Sequence, residues 1–150
     1  MARRGSWSRD SKDYEDWIDA AYQDRLAAEL LFTDPRLYDS CAFHCQQCAE
    51  KALKAYLIFK THRLVDGHNL TWLCKQAVKH DQKFVEWLDE SANLNHYYIE
   101  TRYPGDFPLE FNQKQMESVL KMAQDMNDFI YQEIKQSTQK QNKGETASVM

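Results

Sequence analysis

The chain has 150 residues, a net charge of −4, and only four glycines and three prolines. That length supports one domain with a single core, and so few turn residues favour helices over a many-stranded sandwich. The acidic balance argues against a broad positive face for gripping duplex nucleic acid, while leaving room for a local basic pocket. No apolar run approaches the roughly 20 residues of a membrane span. The basic start Met1-Ala2-Arg3-Arg4-Gly5 has no hydrophobic segment behind it, so it is not a secretory signal. The expectation is a soluble, cytoplasmic protein whose cysteines are reduced thiols.

Residues 1–12 are polar and basic, and are expected to form a flexible segment. From Asp13 to Phe32, Trp17, Ala20, Ala21, Asp24, Ala27, Ala28 and Leu31 recur at helical steps, which predicts a helix with one buried stripe. Thr33-Asp34-Pro35 breaks it. A second helix is predicted from about Tyr38 to Lys60, with Cys41, Cys45, Cys48, Ala52, Tyr56 and Phe59 on one face. Arg63 to Asn69 reads as a loop turning at Asp66-Gly67. A short third helix covers about Leu70 to Lys79, and a fourth about Gln82 to Ile99. The last helix runs from about Asn112 to Lys135, and the Gln, Lys, Ser and Thr-rich stretch 137–150 reads as a disordered tail. Four amphipathic helices on short links form an all-α, antiparallel up-and-down four-helix bundle with one additional short helix, over residues 13–136. There is no Gly-rich phosphate loop, which argues against nucleotide hydrolysis of the P-loop kind.

Thr101-Arg102-Tyr103-Pro104-Gly105 places a cation, an aromatic ring and a helix-stopping proline together. Arg102 and Tyr103 are candidates to hold a phosphate and a base, or to anchor the loop. Lys51 and Lys54 lie one turn apart on what the pattern makes the polar side of helix two, where they meet phosphate or stay solvated. His44 is a nucleotide contact or a histidine bonded across the bundle, and His68 a ligand or a helix cap. Cys41, His44, Cys45 and Cys48 share one helical face, but ligands along one continuous helix cannot close a tetrahedron around an ion. The cysteines therefore read as core packing, with no metal and no cofactor expected.

In helix two, Phe43-His44-Cys45-Gln46-Gln47-Cys48-Ala49-Glu50-Lys51-Ala52-Leu53-Lys54-Ala55 resembles the F-H-A-Q-Q-A-A-E-K-A-L-K-A pattern of HEPN domains. Gly67-His68-Asn69-Leu70 is similar to that family's T-H-D-L element. Asn95 through Gly105 resembles its L-N-x-Y-Y-I-x-T-R-Y-P-D stretch. The resemblance spans about residues 14 to 135. It implies a helical bundle that commonly forms a homodimer, and association with a nucleotide or RNA phosphate. It also implies a nucleotidyltransferase protein partner in a toxin–antitoxin-like pair.

Ribonuclease members of that family carry an arginine followed four to six residues later by a histidine, on a late helix at the dimer cleft. Here no histidine follows Arg102 in that range. Arg63 and His68 have such a spacing, but in the loop after helix two, where it reads as coincidence. The reading favoured is binding without cleavage; a metal-independent ribonuclease toxin is the alternative. The abundant aromatics, including Trp17, Trp72, Trp87, Tyr97 and Tyr98, leave apolar surface for a second copy of the chain.

Overall fold

The computed structural model describes residues 11–98 and 111–149, with side chains to residue 143. Arg102 and Tyr103 lie outside the described residues. Among those described there is no strand, and the chain forms α1 (Tyr14–Leu31), α2 (Tyr38–Thr61), α3 (Leu70–Val78), α4 (Leu88–Asn95) and α5 (Gln113–Val149). Two 3-10 turns, Pro35–Leu37 and Gln82–Trp87, precede α2 and α4. No helix among the described residues is long and apolar enough to cross a membrane.

Side chains at the helix starts take up backbone donors that have no partner within the helix. Asp13 accepts from the Glu15 N–H at the head of α1, and Asn69 from the Trp72 N–H at the head of α3. Ahead of α5, Asn112 accepts from the Gln115 N–H at 2.8 Å while Gln115 Oε1 accepts from the Asn112 N–H at 3.1 Å, a reciprocal capping box. α2 ends where His62 turns into the left-handed region at φ 59°.

The contacts fix the directions of the long helices. Tyr14 meets Phe59, Trp17 meets Lys54, and Ala28 meets Cys41, so α1 runs antiparallel to α2. Arg25 meets Asp128 and Glu29 meets Gln124, so α1 also runs antiparallel to α5. α2 is the central element and is buried around most of its circumference, including Gln46, Glu50 and Lys54. A one-sided apolar stripe on α2 is therefore too narrow a description. The four cysteines lie in the core, where Cys41 Sγ donates to the Ala28 carbonyl and burial pushes the Cys48 thiol up to about 12.

Two predicted boundaries differ in the structure. The helix expected over 82–99 is split into a 3-10 segment and the short α4. Residues three apart eclipse in a 3-10 turn, and this puts Phe84 and Trp87 together against Phe129, at 5.2 and 5.3 Å between ring centroids. The fourth position of the bundle is thus filled by short pieces rather than one long helix. The stretch after Ser137, expected as a disordered tail, continues α5 as far as Val149. It holds no proline and many good helix formers, so a helix anchored by packing up to Ile134 propagates onward. Of the segment 1–12 expected to be flexible, residues 1–10 lie outside the described residues, and Ser11 is bonded to the start of α1. Its carbonyl accepts from Trp17 Nε1 at 2.9 Å, and its hydroxyl donates to Asp16.

Candidate functional site

Two buried carboxylates organise the groove between α1 and α2. Asp24 on α1 is 7% exposed. It accepts from His44 Nδ1 at 2.8 Å on one oxygen and from Lys51 Nζ at 2.6 Å on the other. A carboxylate acceptor places the imidazole proton on Nδ1 and leaves Nε2 as the free ring atom. Positions 44 and 51 are seven residues apart on α2 and so share a face, and one aspartate from the facing helix reaches both.

Glu50 on α2 is 3% exposed and is the second centre. Gln46 Nε2 donates to its Oε1 at 3.2 Å, while Lys54 Nζ at 3.2 Å and His68 Nδ1 at 3.0 Å donate to its Oε2. Gln47 extends the network by donating to Gln46 Oε1 at 2.7 Å. The Lys54 ammonium also stands 5.5 Å from the centroid of the Trp17 ring. The His68 ring is stacked on Tyr98 at 4.8 Å, which ties the loop before α3 to the residues after α4.

The structure brings Lys51, Lys54 and His68 to one cavity of about 680 Å³ between α1, α2 and the loop 64–68, with Trp17 in its wall. Asp16, Glu50 and Asp66 line the same space, so it presents both signs of charge. Lys54 does not lie on a solvated face, as the pattern suggested. It is 5% exposed, and its charge is committed to Glu50. Lys51 is the more accessible lysine, its side chain 28% exposed beside Asp24. His44 is outside the cavity lining and is joined to Lys51 by the carboxylate they share.

Arg63 and His68 open into different cavities, His68 into the one just described and Arg63 into a groove beside α3. The arginine-to-histidine spacing in that loop therefore does not converge on one point. Sequence reasoning missed the roles of Asp24 and Glu50. One signal was available for each: an aspartate inside the otherwise apolar stripe of α1, and a glutamate four residues before Lys54 on a helix too apolar to solvate it.

The comparisons agree with this architecture. The model of the HEPN domain matches residues 14–134. A curated relative, "Putative toxin MJ1304" of Methanocaldococcus jannaschii, is 29% identical over 128 residues, covering 76% of this chain and 83% of that protein. The crystal structure of TT1696 from Thermus thermophilus superposes with a TM-score of 0.69 at 24% identity, covering 81% of this chain and 98% of the other. ST0689, described as an archaeal HEPN homologue, superposes at 0.66 with 24% identity, covering 83% and 99%. At that identity the two structures establish the shared fold, and the match across most of the chain establishes the family. The chain belongs to the HEPN domain family.

Proposed function

We propose that this HEPN domain binds a nucleotide or RNA phosphate in the cavity between α1 and α2, and acts with a nucleotidyltransferase partner in a toxin–antitoxin-like pair. The observation that carries the binding reading is the convergence of Lys51, Lys54 and His68, from two separate segments, on one cavity with an indole in its wall. Lys51 is the residue that meets phosphate. It is the less buried lysine, and it can exchange one anionic oxygen for another by leaving Asp24. Lys54 holds Glu50 and, through it, the imidazole of His68. Arg102 and Tyr103 join the site in this reading. They follow Tyr98 by four and five residues in the chain, and Tyr98 is stacked on His68. The toxin named among the relatives supports the paired role.

A second copy of the chain completes the assembly in this reading. Tyr22, Leu26 and Leu30 are exposed at four-residue steps along α1, and Leu30 is 72% exposed. They form an apolar stripe of the kind that two-fold pairing covers.

Calorimetric titration with ATP and with short RNA tests the site. Binding should weaken about tenfold in Lys51→Ala and in Arg102→Ala, the scale of one lost charge-assisted bond. Wild-type protein that binds neither ligand would remove the proposal. Metal-independent RNA cleavage that disappears in Arg102→Ala would replace it with the ribonuclease reading.

A further inference from the structure

A second groove, about 680 Å³ in volume, runs between the end of α2, the loop after it and α3. Trp72, Gln76 and His80 line it at four-residue steps along α3 and just past its end, and Arg63 lines it from the turn after α2. Trp72 is 46% exposed, a large planar ring left half in water. Arg63 is exposed, and its guanidinium has no carboxylate partner among the described residues. The other arginines described, Arg25 and Arg36, are both held by carboxylates, Arg25 by Glu29 and Asp128 and Arg36 by Asp34.

The turn that carries Arg63 is fixed by its own backbone. His62 sits in the left-handed region, and the Thr61 hydroxyl accepts from the Arg63 N–H at 3.2 Å while donating to the Leu57 carbonyl at 2.8 Å. Among the described residues, the Arg63 guanidinium thus has no carboxylate partner, and it lines the same groove as the half-exposed Trp72 ring. Lys79 adds a second cation to the rim, where it bonds the Gln76 side chain, and Asp66 is the acid in the lining.

We infer that this groove is a second binding site, taking a nucleotide whose base stacks on Trp72 and whose phosphate meets Arg63. An exposed indole offers a stacking platform to any base, and a guanidinium matches the paired oxygens of a phosphate. Arg63 and Asp66 balance within the lining, and Lys79 on Gln76 adds one positive charge beside them, although the chain as a whole is acidic. Gln76 donors and the His80 ring line the same groove, within the reach of a base edge and a sugar. Leu64, Val65 and Asp66 line both this groove and the cavity between α1 and α2. One loop therefore separates two nucleotide sites. The ligand is either a free mononucleotide or one unit of a single-stranded RNA that crosses the loop.

Anisotropy of a labelled ten-nucleotide single-stranded RNA, measured on the full chain, tests the site. Arg63→Ala and Trp72→Ala should each weaken binding about tenfold, and Trp72→Phe should restore most of the loss because it keeps a stacking ring. Loss of Arg63 should also reduce the slope of log K against log salt by about 0.7, the value for one phosphate contact on a single strand. Both side chains are exposed, so circular dichroism of the variants should match wild type. Indole NMR separates the two sources. AMP alone shifting the Trp72 resonance identifies a free nucleotide, and a shift only with the oligomer identifies a strand. Wild-type affinity in both alanine variants, or no shift of the Trp72 indole with either ligand, overturns the inference. So does a groove whose variants lose a protein partner and keep RNA.

Discussion

Replacing Glu50 with glutamine asks whether the lysine-rich face of α2 is a solvated surface or part of the interior. Glu50 and Lys54 are 3% and 5% exposed, and their side chains meet at 3.2 Å. Glu50→Gln keeps the shape and one acceptor oxygen but strands the Lys54 ammonium in the interior. Breaking a buried pair from one side costs about 3–5 kcal/mol, a large share of the roughly 5–15 kcal/mol by which a domain this size is stable. The expected loss is about 3 kcal/mol, because the Trp17 ring still faces the ammonium and softens the penalty. Lys54→Met keeps the methylene stem and leaves Glu50 with donors from Gln46 and His68, so it should cost about 2 kcal/mol. The double variant removes both charges together, and should be less destabilised than the sum by about 1.5 kcal/mol or more. Lys121 and Asp125 supply the control, an exposed pair one turn apart on α5. Asp125→Asn there should cost about 0.5 kcal/mol or less. Urea unfolding followed by circular dichroism provides each value, and the four-protein cycle isolates the coupling. A Glu50–Lys54 coupling below about 0.5 kcal/mol, like that of a surface pair, would refute the buried-node account.

Three further outcomes follow from the same structure. The double variant Leu26→Glu, Leu30→Glu should convert a species of twice the 17.8 kDa chain mass into a single chain in sedimentation. A wild-type protein that sediments only as one chain at every concentration would discard the α1 pairing. The four thiols should resist Ellman's reagent in the native protein at about pH 8 and react on unfolding, since all are buried. Burial raises the Cys48 thiol to about 12, so the folded state keeps a proton that the unfolded chain releases near its ordinary value. Stability from this thiol is therefore complete below about pH 8.5 and declines as pH rises towards 12, at up to about 1.4 kcal/mol per pH unit. Cys48→Ala should flatten that alkaline limb, and a limb unchanged in the variant would assign it to other groups.

Sequence alone determined the helical class, the family and most helix starts. Period 3.6 patterning and side-chain caps are local, and Asp13, Asn69 and Asn112 act within three residues of where they stand. The helix-two motif was legible for a similar reason, since its order of residues is itself the signature. The division of α2 into a core side and a polar side was not legible, because other helices surround it. Only their packing shows that Lys54 is interior and Lys51 half-exposed.

The site's wiring depended on tertiary structure for the same reason. Asp24 and Lys51 are 27 residues apart, and Glu50 and His68 are 18 apart. Nothing in either local segment announces the partner. The break at Trp87 likewise follows from where Phe129 stands on α5. Local chemistry chose the helices. Burial between them decided which charges are committed to one another.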